Sequence, residues 1–121
     1  MINILLVDDD RTNANLIKLL LEMDGFKVAV SPDLENARLL ITKETKGFII
    51  DCNLSQGDNG IDLLREIRNG ATEVPIDTPV IMTSGDDRRW REAEESGASI
   101  FMLKPYSPSK LSEKLRNMTG K

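Results

Sequence analysis

Short runs rich in apolar and β-branched residues recur along the chain, with amphipathic segments between them. The runs are ILLV at 4–7, KVAV at 27–30, FII at 48–50, VIM at 80–82 and IFML at 100–103. Short apolar runs of this kind are typical of strands in a parallel sheet that is covered on both faces. The sequence therefore predicts a strand at each run.

Apolar residues at helical spacing fill the gaps between these strands and follow the last one. The predicted helices contain residues 16–21, 34–41, 61–67, 88–96 and 111–115. Asp10 or Thr12 is placed to cap the first helix, and Gly25 to end it. Ser107 and Pro108 suit the first turn of the last helix. Strands that alternate with single helices indicate parallel βαβ units with right-handed crossovers, so we predict a (βα)5 α/β fold.

Composition favours a single domain over residues 1–121, with no effector domain in the chain. The 121 residues are 40% hydrophobic and 30% charged, which suits one hydrophobic core. A net charge of −4 argues against direct nucleic acid binding, because a phosphate backbone needs a basic face. Cys52 is the only cysteine, and no apolar run approaches the ~18 residues of a membrane span. We therefore expect a cytoplasmic protein without a membrane anchor.

The chain contains no histidine. This absence removes the usual general base at neutral pH and the commonest ligand of transition metals. It also removes every mechanism that stores phosphate on a histidine of this chain. The available chemistry is therefore that of carboxylates, hydroxyls and lysine.

Polar residues follow four of the five predicted strands, at the point where each strand ends. They are Asp8, Asp9 and Asp10 after the first strand, Asp51 after the third, Thr83 and Ser84 after the fourth, and Lys104 and Pro105 after the fifth. In an open parallel sheet, ligands bind beyond the carboxyl ends of the strands. We therefore expect one site that combines acids, a hydroxyl and an amine.

The acids of this site suggest a divalent cation and phosphoryl transfer. Clustered carboxylates stay ionised only when a cation neutralises them. Oxygen ligands without histidine or thiolate favour a hard ion, and a shallow hydrated site suits Mg²⁺ better than Ca²⁺. Sites of phosphoryl transfer use Mg²⁺ together with carboxylates, a hydroxyl and an amine such as that of Lys104. Asp51 is then the candidate nucleophile. Asp8 and Asp9 are the candidate metal ligands, and Asp10 is expected to cap the first helix.

These stretches resemble the receiver domain of bacterial two-component response regulators over essentially the whole chain. ILLVDDD is similar to the first strand and acidic pair of that family, FIIDCNL to its phosphoacceptor strand, PVIMTSG to its fourth strand and GASIFMLKP to its fifth. The resemblance implies a flavodoxin-like sheet with strand order 2-1-3-4-5 and a cis peptide before Pro105. It also implies Mg²⁺ or Mn²⁺ bound by Asp8, Asp9, Asp51 and the backbone carbonyl of Asn53.

The resemblance further implies a reaction and its partners. Asp51 would accept a phosphoryl group from a sensor histidine kinase or a histidine phosphotransfer protein, and Ser84 and Lys104 would hold its oxygens. Ser84 and Phe101 would act as a switch that alters the surface of the fourth helix, fifth strand and fifth helix for a downstream protein target. The chain would be a signalling phosphoacceptor rather than an enzyme, and a monomer or a weak dimer linked to phosphorylation.

Some features depart from the family pattern and leave alternatives open. Ser55 stands where the family usually has proline, and Gly60 comes one residue late, so NLSQGDNG carries an extra residue. Thr83 is a second candidate for the working hydroxyl.

A degenerate receiver that binds proteins without accepting phosphate is one alternative function. Another is a phosphatase of the haloacid dehalogenase type, although Asn53 replaces the second aspartate of such enzymes.

Overall fold

The computed structural model describes residues 1–120, which form a five-stranded parallel sheet flanked by five α-helices. The strands are β1 Ile2–Val7, β2 Phe26–Ser31, β3 Thr45–Asp51, β4 Val80–Ser84 and β5 Ile100–Leu103. The helices are α1 Arg11–Met23, α2 Leu34–Leu40, α3 Gly60–Arg68, α4 Trp90–Glu95 and α5 Pro108–Thr119. The strand order is β2-β1-β3-β4-β5, so the predicted fold class and order are confirmed. Lys121, the last residue of the predicted domain, lies outside the described residues.

The side chains of the strands alternate between two core layers, because successive residues of a strand point to opposite faces of the sheet. Leu5, Phe48 and Met82 are buried on the face covered by α2, α3 and α4. Ile4 and Ile49 are buried on the other face, against α1 and α5. In the central strand β3, six of the seven residues are buried. This is the two-sided burial that its apolar run predicts.

The parallel register brings the carboxyl ends of the inner strands to one edge of the sheet. Val7 of β1 pairs with Ile50 of β3, one residue before Asp51. Asp51 itself pairs with Thr83 of β4, and the next residue of β4 pairs with Leu103 of β5. The polar residues at the ends of β1, β3, β4 and β5 therefore converge, although they are far apart in sequence.

Hydrogen bonds accepted by the side chains of Asp10 and Asp86 set the start of α1 and of the turn that precedes α4. The carboxylate of Asp10 accepts a hydrogen bond from the backbone N–H of Asn13 at 3.1 Å and caps α1, so Asp10 rather than Thr12 is the cap. The fourth helix begins later than the predicted residue 88. The carboxylate of Asp86 accepts from the backbone N–H of Arg88 at 3.0 Å, and residues 87–89 form a 3-10 turn before α4.

The last helix has the predicted first residues but a different cap contact. Ser107 occupies the N-cap position of α5, and Pro108 is its first residue. The Ser107 hydroxyl lies 2.8 Å from the Ser109 hydroxyl, and it makes no hydrogen bond to the helix backbone. No helix within residues 1–120 is long and apolar enough to cross a membrane.

Arg68, the last residue of α3, ties together the segments that precede β4 and β5. Its Nη1 donates to the carbonyl oxygens of Ile76 and Thr78, both at 2.7 Å. Its Nε donates to the carbonyl oxygen of Gly97 at 2.8 Å. A guanidinium presents its donors in a rigid plane, so this one side chain satisfies carbonyls from two separate loops.

We expect Arg68→Met to lower the free energy of unfolding by about 1–3 kcal/mol, because partly buried carbonyls lose their donors. Urea denaturation followed by circular dichroism measures the change. Arg91→Met is the matched control, since Arg91 is exposed and its side chain makes no hydrogen bond or ion pair within the described residues. Equal denaturation midpoints for the two variants would show that the Arg68 contacts do not stabilise the fold.

Candidate functional site

The structure brings together Asp8, Asp9 and Asp51, the three acids that the sequence analysis singled out. Each offers one carboxylate oxygen, and these oxygens lie within 4.8 Å of one another. Asp8 is 2% exposed and Asp51 is 6% exposed, whereas Asp9 is exposed to solvent. Asp8 and Asp9 are adjacent in sequence but lie in different surroundings: Asp8 is buried at the edge of the sheet, and Asp9 is exposed beside it.

Lys104 links the ends of three strands through its ammonium group. Its Nζ donates to Oδ2 of Asp51 at 2.8 Å and to Oδ2 of Asp8 at 3.0 Å. Burial disfavours the charged ammonium, but the hydrogen bonds and charges of these two carboxylates outweigh burial and raise the pKa of Lys104. For Asp51, burial disfavours the charged carboxylate and raises its pKa. The hydrogen bond and positive charge of Lys104 act in the opposite direction but only partly offset the effect of burial. The peptide between Lys104 and Pro105 is cis, as predicted.

The donor set at this edge fits a hard divalent cation. One ammonium faces three carboxylates, so the cluster keeps a net negative charge when all of them are ionised. The backbone N–H of Asn53 donates to Oδ1 of Asp51 at 3.2 Å. Within the described residues, the carbonyl oxygen of Asn53 accepts no hydrogen bond. Carboxylate and carbonyl oxygens are the ligands that Mg²⁺ and similar ions prefer.

The loop after β3, where the sequence departs from the family pattern, contains a 3-10 turn, Ser55–Gly57. The Ser55 hydroxyl donates to the carboxylate of Asp9, a contact that the sequence analysis did not predict. Gly60 packs directly against β3. A Cβ atom at Gly60 would lie 2.0 Å from the carbonyl oxygen of Asp51, so only glycine fits there. The loop after β3 is therefore held close to Asp51 at Gly60, and it contacts Asp9 through Ser55.

Two hydroxyl groups lie at the end of β4, one on each face of the strand. Ser84 is fully buried, and its Oγ accepts hydrogen bonds from Nδ2 of Asn53 at 3.2 Å and from the backbone N–H of Asp86 at 3.0 Å. Thr83 is buried as well and pairs in register with Asp51. Ser84 is therefore the hydroxyl that is joined to the loop after β3.

Phe101 of β5 lies half-buried on the face of the sheet covered by α2, α3 and α4. It pairs in register with Met82, and alternation along β4 puts Ser84 on the same face as Met82. The two residues of the predicted switch thus share one side of the sheet.

Arg89 is a neighbour of the site that the sequence analysis did not assign to it. Its Nη1 donates to Oδ1 of Asn53 and its Nη2 to Oδ1 of Asn59, both at 2.7 Å. The partners are 36 and 30 residues away in sequence, so no local pattern indicates the contact. The side chain is only 22% exposed. It joins the start of the fourth helix to both ends of the loop after β3.

Comparison with known proteins gives a consistent family. The family model described as "Response regulator receiver domain" matches residues 4–116. The transcriptional regulatory protein CpxR of Klebsiella pneumoniae is 36% identical over 118 residues, which cover 96% of this chain and 48% of CpxR. The chemotaxis protein CheY1 of Helicobacter pylori strain J99 is 31% identical over an alignment of 122 residues, and the alignment covers 97% of this chain and 96% of CheY1.

A solved receiver domain also resembles this chain. The receiver domain of the Francisella response regulator 1452 has a TM-score of 0.87 and 28% identity, with 99% of this chain and 98% of that chain covered. The present chain spans about half the length of the transcriptional regulators that it matches. The similarity to those regulators therefore lies in the α/β domain described above.

We expect Asp9→Asn to stabilise the protein when no divalent cation is added, by about 1 kcal/mol, because it removes one of three mutually repelling charges. The same change is expected to reduce the stabilisation that added Mg²⁺ produces, because a neutral amide binds the ion more weakly than the carboxylate of Asp9 does. Thermal denaturation with EDTA and with Mg²⁺ measures both effects. Asp10→Asn is the control, since asparagine also caps helices. An Asp9→Asn variant with unchanged stability and an unchanged response to Mg²⁺ would contradict the proposed cluster.

Cys52, which follows Asp51, is fully buried, and burial raises the pKa of its thiol to about 11. At pH 8 about one thiol in a thousand is then ionised, and the thiolate is the reactive form. We expect the native protein to react with a disulfide reagent at least about a hundredfold more slowly than the urea-unfolded protein. The absorbance of the released thiolate follows the reaction. Equal rates for native and unfolded protein would contradict the burial of this thiol.

Proposed function

The chain belongs to the response regulator receiver domain family, and from this premise we propose that Asp51 is its phosphoacceptor. The protein is thus a receiver domain of a two-component system. The donor would be a phosphohistidine on a sensor histidine kinase or a histidine phosphotransfer protein, because this chain has no histidine of its own. The observation that carries the proposal is the position of Lys104, whose ammonium contacts both Asp51 and Asp8 at the edge of the sheet.

In the proposed transfer, a carboxylate oxygen of Asp51 attacks the phosphorus while the bond between phosphorus and the imidazole nitrogen breaks. The nitrogen keeps the electron pair of that bond and is protonated from solvent. The product on this chain is an acyl phosphate. The backbone N–H of Asn53 and the ammonium of Lys104 each hold one oxygen of the Asp51 carboxylate. The carboxylate is therefore oriented before a donor docks, which lowers the entropic cost of the reaction.

The other side chains of the site would manage the charge of the phosphoryl group. Lys104 can transfer one hydrogen bond from Asp51 to a phosphoryl oxygen while Asp8 keeps its ammonium in place. Ser84 would donate its hydroxyl hydrogen to another phosphoryl oxygen. Mg²⁺ or Mn²⁺, held by Asp8, Asp9, Asp51 and the carbonyl of Asn53, would offset the negative charge that gathers on the transferring oxygens.

Phosphorylation would then change the surface that a downstream protein target recognises. Movement of Ser84 towards the phosphoryl group would make room for Phe101, which lies on the same face of the sheet, to turn inward. A local change in charge would in this way shift the population of two states of α4, β5 and α5. Trp90 and Leu103 are 54% and 47% exposed and offer apolar contacts to the target on these elements.

The same residues disfavour hydrolysis of small phosphate esters as the function. A phosphatase of the haloacid dehalogenase type needs an acid two residues after its nucleophile, and this position holds Asn53, an amide. We therefore propose a phosphoacceptor that promotes only its own phosphorylation and dephosphorylation.

Incubation with acetyl phosphate and Mg²⁺ tests the proposal directly. We expect the intact protein to gain the mass of one phosphoryl group, and EDTA to prevent the gain. Asp51→Asn should abolish it, because an amide oxygen is a far weaker nucleophile than a carboxylate. Mass spectrometry of the intact protein measures each result.

Asp10→Asn serves as the matched control, because it removes a nearby carboxylate that lies outside the acidic cluster. This variant should be phosphorylated like the wild-type protein. A gain of mass that persists in Asp51→Asn would place the phosphoryl group elsewhere. A wild-type protein that never gains mass would favour a degenerate receiver that only binds other proteins.

A further inference from the structure

The guanidinium of Arg89 is held in a defined orientation beside the loop that follows β3. It donates to Oδ1 of Asn53 and Oδ1 of Asn59, both at 2.7 Å. Glu92, one turn along α4, lies 3.2 Å from Nη2 of Arg89 and 3.3 Å from Nη2 of Arg65 on α3. The Arg89 side chain is 22% exposed and the Glu92 side chain is 40% exposed. The guanidinium is therefore anchored by an acid on one side and by two amides on the other.

The Arg89 contact determines which way the Asn53 amide points. An arginine side chain has hydrogen-bond donors and no acceptor. The Asn53 atom that faces Arg89 must therefore be the carbonyl oxygen of the amide. The NH₂ group of Asn53 is consequently turned towards Ser84, and its Nδ2 lies 3.2 Å from the Ser84 Oγ.

This orientation of the Asn53 amide leaves the Ser84 hydroxyl free to act only as a hydrogen-bond donor. A serine hydroxyl has two acceptor lone pairs and one hydrogen to donate. Nδ2 of Asn53 and the backbone N–H of Asp86 both donate to Oγ, at 3.2 and 3.0 Å. Both acceptor positions of Oγ are thereby used, and its hydrogen remains for a third group. With the Asn53 amide reversed, the Ser84 hydrogen would instead be drawn to the amide oxygen.

We propose that Arg89 is a positioning residue for phosphoryl acceptance: it orients the Asn53 amide so that Ser84 keeps its hydroxyl hydrogen for an oxygen of the incoming phosphoryl group. The inference rests on the proposed function of Asp51 and Ser84. It assigns to the start of the fourth helix a part in the reaction through two intermediate side chains, without any contact between Arg89 and the substrate.

The rate of phosphorylation by acetyl phosphate and Mg²⁺, followed by intact mass, tests this relay. Arg89→Ala should slow the reaction about tenfold, the loss expected for one well-placed hydrogen bond to a charged group. Arg91→Ala, which removes an exposed arginine of the adjoining helix α4, should stay within about twofold of the wild type. Because Arg89 acts through Ser84, Arg89→Ala should cause no further loss in a Ser84→Ala background.

A role of Arg89 in folding alone would give the same loss in both backgrounds, and that result would overturn the proposal. So would equal rates for Arg89→Ala and Arg91→Ala. If Arg89→Ala does not fold, Arg89→Gln keeps much of the side-chain stem and takes its place in the same cycle.

A second measurement separates this proposal from the proposed function. In ¹⁵N-labelled wild-type protein, the two side-chain N–H signals of Asn53 should exchange slowly with water, and Arg89→Ala should speed that exchange. Asn53→Asp identifies the signals by deleting them. If the wild type is not phosphorylated, the proposed function fails and this exchange alone decides whether Arg89 positions Asn53. Unchanged exchange in Arg89→Ala would overturn the positioning role.

Discussion

The ammonium of Lys104 is the contact on which the edge of the sheet depends. Asp8 and Asp51 are almost completely buried, and two buried carboxylates at this separation repel each other unless a positive charge lies between them. Lys104 reaches both, at 3.0 and 2.8 Å, and so connects β1, β3 and β5. Removing either partner of a buried ion pair costs far more than the pair contributes, because the remaining charge is left unneutralised. Asp9 stays outside this pairing, and it is the charge that a divalent cation would balance.

Backbone packing at the same edge limits where the fold can vary. Gly60 lies so close to the carbonyl of Asp51 that no side chain fits, which fixes the start of α3 relative to β3. A change in loop length can therefore be absorbed only between Asn53 and Gly60, where the short turn that contains Ser55 lies. Surface loops tolerate such changes at little cost. In this turn the hydroxyl of Ser55 donates a hydrogen bond to the carboxylate of Asp9.

The face of the sheet covered by α2, α3 and α4 connects the end of β4 to the start of the fourth helix. Ser84 and Phe101 lie on this face because of strand alternation, and Arg89 reaches the same place from the 3-10 turn that precedes α4. Asn53 links Ser84 to Arg89, since it contacts Ser84 with its amide nitrogen and Arg89 with its amide oxygen. Two hydrogen bonds thus connect Ser84 to Arg89, at the start of the fourth helix, through the Asn53 side chain.

The sequence by itself determined the five strands and the acids and lysine at their ends, because apolar runs and the residues that follow them are local patterns. The helix cap at Asp10 is equally local. The strand order 2-1-3-4-5 was implied only by the resemblance to receiver domains, and it is set by contacts between strands distant in sequence. Only the tertiary structure decided that Asp8 is buried while Asp9 is exposed, that Arg89 contacts Asn53 across 36 residues, and that the fourth helix is shortened. Such contacts depend on the distances between side chains of packed elements. Neither periodicity nor motif spacing along one chain contains those distances.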